Sequence, residues 1–448
     1  MTLDLINILI ILGVFLIITE FKNTKSNLLY IIFLVGLFSI NFFNINIWDT
    51  NLFDLSSWKL IFLSLVIISF IVIFDIVEEK TFDVYCLIIL VFIGSLILIV
   101  SDNLLTLYLG LELQTFSIFI LIAKNRTSIK SSEAGLKYFM LGALSSGFYL
   151  LSLVILFLYG YGLNIKDLLI LNQDFIVLCS ITLIILSFCF KLSLFPFHFW
   201  IPDIYEGSSW DIITLIATLP KISMICIILQ FIINSDIILT FCLCSIVIGT
   251  LGALNQSKLK RLLAYSGISH MGFIVLGFNI LTNDGSTIGS LYLTIYMLTM
   301  ISILILIICN NFKNDFIIEL SGLQYINKIL AITLILLILS TAGIPPLSGF
   351  ISKWYLIWVA IDHQYNFSSF LMILFSAIGI GYYLRIVKII YFQKKSSYFL
   401  WKNILEVKSS KNEIMSLTLG FLIFISLFLI LNFSFIVNAI NYMLNYVY

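Results

Sequence analysis

The stretch Ser180-Ile-Thr-Leu-Ile-Ile-Leu-Ser-Phe-Cys-Phe-Lys-Leu-Ser-Leu-Phe-Pro196 runs largely apolar, then sets a lysine and, five positions later, a proline in the same surroundings. Pro196 has no N–H to offer the carbonyl of Leu192, and a carbonyl bared inside a bilayer must find another partner. A second stretch of the same kind, Gly343-Ile-Pro345-Pro346 followed by Lys353, lies about 150 residues downstream and frees the carbonyls of Thr341 and Ala342. The bland reading is an ordinary proline kink, which membrane helices tolerate when neighbours re-satisfy the freed groups. The other reading is a pair of broken helices at mid-membrane, each with a lysine beside the break. Pro220, just before Lys221, is read as a further helix-breaking position.

Working outward, the 448 residues are 61% hydrophobic and 10% charged, with a mean hydropathy of +1.14. Soluble domains carry about 25% charged residues, so the chain is a membrane protein. Twenty-four basic and 23 acidic side chains leave a net +1, without the basic field that binds nucleic acid. The seven cysteines sit in apolar runs without metal or haem spacings and read as small core residues, and no nucleotide-binding glycine motif follows a strand-like run. Met1 leads straight into an apolar run too long for a signal segment, so no cleavage is expected. The abundance of Ile, Phe, Asn and Tyr fits an A+T-biased genome such as an organelle's.

A bilayer core about 30 Å thick takes roughly 20 apolar residues per helix. The sequence then predicts an all-α polytopic membrane protein with about fourteen transmembrane helices, near 3–20, 28–44, 59–77, 83–100, 103–123, 132–160, 174–200, 209–233, 236–255, 261–280, 287–310, 328–362, 366–392 and 413–434. The runs are continuous, not alternating, which excludes a β-barrel. Loops after odd-numbered spans hold most of the loop cations, among them Lys22, Lys80, Lys124, Arg126, Lys258 and Lys394, so they should share the cytoplasm-equivalent face and put both termini on the opposite one. The two breaks fall in spans 7 and 12. An offset of five spans reverses orientation, so the two units should be inverted repeats. The single transmembrane domain divides into N-terminal helices at 1–80, a first repeat at 81–233, a second, inverted repeat at 234–392, and a basic loop, last helix and tail at 393–448.

Charges within spans cost roughly 2.5–3.5 kcal/mol each and by default mark ion pathways or paired structural sites. Glu112, Lys137, Lys191, Lys221 and Lys353 stand in that position. Burial disfavours a charged lysine and a neighbouring carboxylate favours it, so pairing can decide where a proton is released. Two unit charges about 7 Å apart at an effective dielectric near 20 interact by roughly 2.4 kcal/mol, enough for one protonation to displace the next proton. Lys137 has a bland alternative, because Glu133 stands four residues before it in the favourable ion-pair order. Glu112 and Lys191 lack a partner within a helical turn and must look across helices; Lys221 and Lys353 likewise have no local carboxylate. Asp83 and His270 are secondary relay candidates, the first either that or a water-facing helix end, and the second a residue type that inside a membrane is more often hydrogen-bonded packing. Asp102 reads as an N-cap, His198 and His363 as interfacial, and the small residues of Gly142-Ala-Leu-Ser-Ser-Gly147 as a close helix contact.

The run Lys191-Leu-Ser-Leu-Phe-Pro-Phe-His-Phe-Trp-Ile-Pro-Asp-Ile-Tyr-Glu-Gly207 resembles the antiporter-like membrane subunits of respiratory complex I, and with Ala217-Thr-Leu-Pro-Lys221 it resembles the branch called subunit N in bacteria. Asp102-Asn-Leu-Leu-Thr-Leu-Tyr-Leu-Gly-Leu-Glu-Leu-Gln114, Glu133-Ala-Gly-Leu-Lys137, Lys260-Arg-Leu-Leu-Ala-Tyr-Ser-Gly-Ile-Ser-His-Met-Gly272 and Ala342-Gly-Ile-Pro-Pro-Leu-Ser-Gly-Phe-Ile-Ser-Lys353 follow in family order over roughly residues 80 to 390. The resemblance implies proton pumping driven by quinone reduction elsewhere, with Glu112 and Lys191 as the coupling ion pair, Lys221 as the central relay, Lys353 as the terminal proton site and Lys137 as an accessory. It also implies no cofactor in this chain, with NAD, FMN, Fe–S clusters and ubiquinone held by other subunits. The implied partners are those subunits, neighbouring antiporter-like ones above all, and lipids. The implied location is the mitochondrial inner membrane, or alternatively a bacterial plasma membrane. A cation/proton antiporter of the same fold and a membrane scaffold with static ion pairs are the rival functions. One departure is Ser208-Ser-Trp-Asp211, where the family usually has Ala-Pro and a further proline.

Overall fold

The computed structural model describes residues 58–77, 81–125, 127–165, 175–231, 236–280, 282–309 and 315–393, with isolated positions at 56 and beyond 419. The spans expected at 3–20 and 28–44, nearly all of that at 413–434, and both termini lie outside them. The elements in order are α1 (Lys59–Ile76), α2 (Phe82–Val100), α3 (Leu104–Ile122), α4 (Ile129–Leu158), α5 (Phe175–Lys191), α6 (Trp200–Gly207), α7 (Trp210–Phe231), α8 (Asp236–Leu254), α9 (Leu259–Asn279), α10 (Asn283–Cys309), α11 (Leu323–Ile326), α12 (Lys328–Ala342), α13 (Ser348–Asp362) and α14 (Asn366–Phe392). A 3-10 turn at Ile317–Leu320 precedes α11.

Nine of these helices (α1 to α4, α7 to α10 and α14) are long and apolar enough to cross a membrane, among the described residues. With the two interrupted spans, α5–α6 and α12–α13, they account for the third to thirteenth expected crossings. α7, α9 and α10 are buried almost throughout and form the centre, whereas α4 and α14 present most of their surface outward. Loop contacts fit the expected grouping of the loops among the described residues. Lys130, before span 6, and Lys258, after span 9, both reach Glu206 after span 7, and Lys260 meets Asp315 after span 11. Asn103 and Asn164 pair on the other side.

Both breaks are built alike. α5 ends with Ser193 at φ 58° and a bond from Leu194 N–H to the Cys189 carbonyl (2.9 Å). α12 ends with Gly343 at φ 82° and the equivalent bond from Ile344 N–H to Leu339 (3.2 Å). This is the six-to-one closure of a Schellman motif, which a left-handed residue at C′ makes possible. Glycine adopts that φ freely, while a serine there costs on the order of 1 kcal/mol. The proline peptides Phe195–Pro196 and Pro345–Pro346 are both cis. α13 then crosses α12 so tightly that a methyl group on Gly349 would overlap the Ser340 carbonyl oxygen.

Several expectations are corrected. Pro220 breaks nothing, since α7 runs through it from Trp210 to Phe231. Asn103, not Asp102, caps α3, its side chain accepting the Leu105 N–H at 2.9 Å. His198 is buried against Phe195 and Phe199, whereas His363 is exposed. Gly142 and Gly147 have open space among the described residues, so neither glycine makes the close helix contact expected of that run. Three cysteines are buried and four only partly so.

Overpacking a tight crossing costs about 1–3 kcal/mol. Gly349→Ala should therefore lower the thermal midpoint of the detergent-solubilised protein by several degrees, while Gly142→Ala leaves it unchanged. Equal midpoints would refute the crossing geometry.

Candidate functional site

Buried polar groups occur on most of the helices, and one set of them spans α7, α9, α10, α12, α13 and α14. Lys221, in the middle of α7, is 2% exposed and its ammonium has no hydrogen-bond partner among the described residues. A buried ammonium without acceptors is satisfied by water or by losing its proton. A methyl group on Gly267 of α9 would lie 3.3 Å from Lys221 Nζ and 3.2 Å from Tyr296 Oη, so the two groups face each other across this glycine. The Tyr296 hydroxyl is likewise buried without a partner among the described residues, and its ring stacks on His270 with centroids 4.8 Å apart.

His270, on α9, is held at both ring nitrogens, with Nδ1 2.8 Å from Tyr292 Oη and Nε2 3.1 Å from Tyr383 Oη. Hydroxyls both give and accept, so either tautomer is satisfied. Tyr383 also interacts with the side chains of Ser266 and Thr341. Beyond it stands Lys353 on α13, whose ammonium donates to the carbonyls of Thr341 (3.1 Å) and Ala342 (2.8 Å). These are the two carbonyls that Pro345 and Pro346 free. Lys221, His270 and Lys353 thus form one row, and the secondary residue His270 is its middle. The tyrosines that link it, Tyr292, Tyr296 and Tyr383, were not singled out from the sequence, where one tyrosine in an apolar run looks like any other.

The first repeat is arranged differently. Lys191, the last residue of α5, is partly buried and within electrostatic range of Glu112, but no direct ion pair joins them among the described contacts. Glu112 accepts from Thr115 Oγ1 at 3.3 Å and interacts with the Tyr108 hydroxyl. It stands on the outward face of α3, in line with the exposed Leu105, Leu109, Phe116 and Ile120. Lys137 points elsewhere, pairing with Glu133 at 2.6 Å and with Asp203 of α6 at 2.7 Å. Asp83 lies exposed in the first turn of α2, away from the row.

Sequence reasoning missed a set of ion pairs around α6. Arg261 lies 2.9 Å from Asp203 and 2.6 Å from Glu206; Glu206 also meets Lys130 at 3.0 Å and, more closely, Lys258. Lys260 binds the Ser208 carbonyl at 2.8 Å and Asp315 at 2.9 Å, over the Trp210 ring. The available signal was the alternation of Asp203 and Glu206 with the basic run Lys258 to Arg261. Among the described residues no three His, Cys, Asp or Glu side chains converge as a metal site would require.

Residues 101–381 match the family described as "NADH:quinone oxidoreductase/Mrp antiporter, TM". The chain is similar to NADH-ubiquinone oxidoreductase chain 2 of Metridium senile, 39% identical over 77% of this chain and 92% of that one. It is also similar to NADH-quinone oxidoreductase subunit N of Pelagibacter ubique, 36% identical over 68% of each. Its fold is shared by a chain of respiratory complex I from Thermus thermophilus, with a TM-score of 0.81 at 23% identity over 96% of this chain and 99% of that one. A chain of the Mrp complex from a Dietzia species also scores 0.81, at 18% identity over 97% and 92%. The chain belongs to the NADH:quinone oxidoreductase/Mrp antiporter family of membrane subunits, in the branch of subunit N and chain 2.

Proposed function

We propose that this multi-pass membrane chain is the proton-translocating subunit of an NADH:quinone oxidoreductase, assembled with the other membrane subunits of complex I. The observation that carries the reading is the buried row from Lys221 through His270 to Lys353, in which every side chain either gives or accepts a proton. Glu112 and Lys191 lie at its input end. A charge change at Glu112 alters the field at Lys191, that change alters Lys221, and the proton held there moves along the tyrosine-bracketed histidine towards Lys353. Redox chemistry belongs to the partner subunits, which hold the NAD, FMN, Fe–S clusters and quinone. The division at residues 233–234 separates an input repeat from an output repeat. The compositional bias favours the mitochondrial inner membrane over a bacterial plasma membrane.

The equal likeness to the Mrp chain supports a second reading, cation/proton exchange. The Metridium senile and Pelagibacter ubique relatives, at 39% and 36% identity, are both named as oxidoreductase subunits, which weighs for the first. Sodium-dependent proton flux in proteoliposomes without electron donors would reverse that weighting.

A positioned proton carrier contributes typically 10²–10⁴-fold to its step, so Lys221→Met or Lys191→Met in the assembled complex should lower proton pumping and coupled quinone reduction by tenfold or more. Pumping at the unaltered rate by an assembled Lys191→Met complex contradicts the relay. Gly267→Ala should act in the same direction, by setting a methyl group between Lys221 and Tyr296, and its effect is read as a slower turnover with normal assembly.

A further inference from the structure

The two breaks share one register, 150 positions apart, in which Ser193 corresponds to Gly343, Pro196 to Pro346, and Asp203 to Lys353. In the second repeat this position carries a cation that turns inward to the carbonyls its own break has freed. In the first repeat it carries an anion that turns outward, to Lys137 of α4 and Arg261 of α9. The helix concerned, α6, has eight residues and joins α5 through the irregular segment 192–199. A helix of two turns has little stability of its own. Trp200, Ile201, Ile204 and Tyr205 bury one face of it, and Trp200 Nε1 donates back across the break to the Phe190 carbonyl at 3.1 Å. Its other anchors are ionic, through Lys130 and Lys137 of the first repeat and Lys258 and Arg261 of the second.

Arg261 alone touches both carboxylates of α6. Its planar fork suits such a bridge, and its 38% exposure is offset by Glu206 being 11% exposed. Nine residues along the same helix stands His270. Gly207, at the end of α6, leaves no room for a side chain, since a methyl group there would lie 2.5 Å from the Lys130 carbonyl and from the Ala134 side chain.

We propose that Arg261 is the positioning residue of the relay, clamping α6 through Asp203 and Glu206 so that the break beside Lys191 keeps a fixed place against the helix that carries His270, and that Lys137 serves this clamp. The proposal rests on the reading of Lys191 and His270 as relay groups. In it, Lys137 and Arg261 carry no translocated proton. They hold Asp203 between them, and loss of either frees one side of α6.

The test uses the assembled complex with Arg261→Gln, Arg261→Lys and Lys191→Met, comparing quinone-reductase turnover with backbone hydrogen exchange in peptides covering 192–208. Losing the charged hydrogen bond to Asp203 together with the ion pair to Glu206 should open this unit about tenfold more often, so Arg261→Gln should raise exchange in 192–208 by about that factor and lower turnover, leaving 366–392 unchanged. Arg261→Lys, which keeps the charge but reaches one carboxylate at a time, should fall between. Should Arg261→Gln fail to assemble, Glu206→Gln and Arg261→Lys report on the same segment. Unaltered exchange in 192–208 overturns the clamp. Unaltered turnover beside raised exchange overturns the positioning role. Full pumping by Lys191→Met would instead sink the relay reading, and the exchange result would still decide the clamp.

Discussion

Two hydrogen bonds, from Lys353 Nζ to the carbonyls of Thr341 and Ala342, are what allow a helix to stop in the middle of the membrane here. Each carbonyl, left bare in hydrocarbon, would cost several kcal/mol. The lysine answers both at once, and the negative end of the α12 dipole answers the lysine. Break and charge are therefore one feature. Neither belongs in a bilayer alone, and Gly343, whose φ of 82° turns the chain back towards the ammonium, leaves the gap that the lysine fills, since a methyl group there would lie 2.8 Å from Lys353 Cδ. Removing Lys353 would uncap the helix as well as remove the proposed proton site. Lys221, with no hydrogen-bond partner to lose among the described residues, is the cleaner probe of proton transfer.

The same break geometry occurs in the first repeat with its lysine on the other side. Lys191 ends the first half-helix, whereas Lys353 sits on the second. At the position matching Lys353 the first repeat has Asp203, taken up by cations from two neighbouring helices. One half of the chain thus holds its break by an internal cap and the other by an external clamp. A clamp made of partly exposed ion pairs is weaker than a buried cap and more easily loosened by a change of charge nearby. On the proposed relay the first repeat is the input side, where such a change would be felt.

Much of this was legible beforehand because it depends on short-range chemistry. Apolar run length gives the crossings, proline gives the carbonyls of Thr341 and Ala342, and an intramembrane charge without a local partner identifies Lys221 and Lys353. Pro220 shows where such reasoning stops. The same residue that ends a helix at 196 is absorbed at 220, because α7 is buried throughout and its neighbours fix the course of the chain. Tyr292, Tyr296 and Tyr383 were illegible for another reason. Their importance lies in converging on one histidine from α10 and α14, and convergence across helices leaves no periodic mark in a single sequence. Asp203 and Arg261 are 58 residues apart and share only their opposite signs.

Glu112 completes the picture by its incompleteness within one chain. It is half-buried on a face of α3 whose other members are exposed leucine, isoleucine and phenylalanine, with a threonine and a tyrosine as its polar contacts. A carboxylate turned towards lipid at that depth would cost on the order of 2.5–3.5 kcal/mol. A helix of a neighbouring subunit laid on the apolar stripe around it would set the local field by the charge it presents. Its electrostatic link to Lys191 carries that field inward without direct contact. On the proposed relay, the state of Lys191 would then depend on the charge a neighbouring subunit presents to Glu112, and the relay would be a property of the assembled membrane arm.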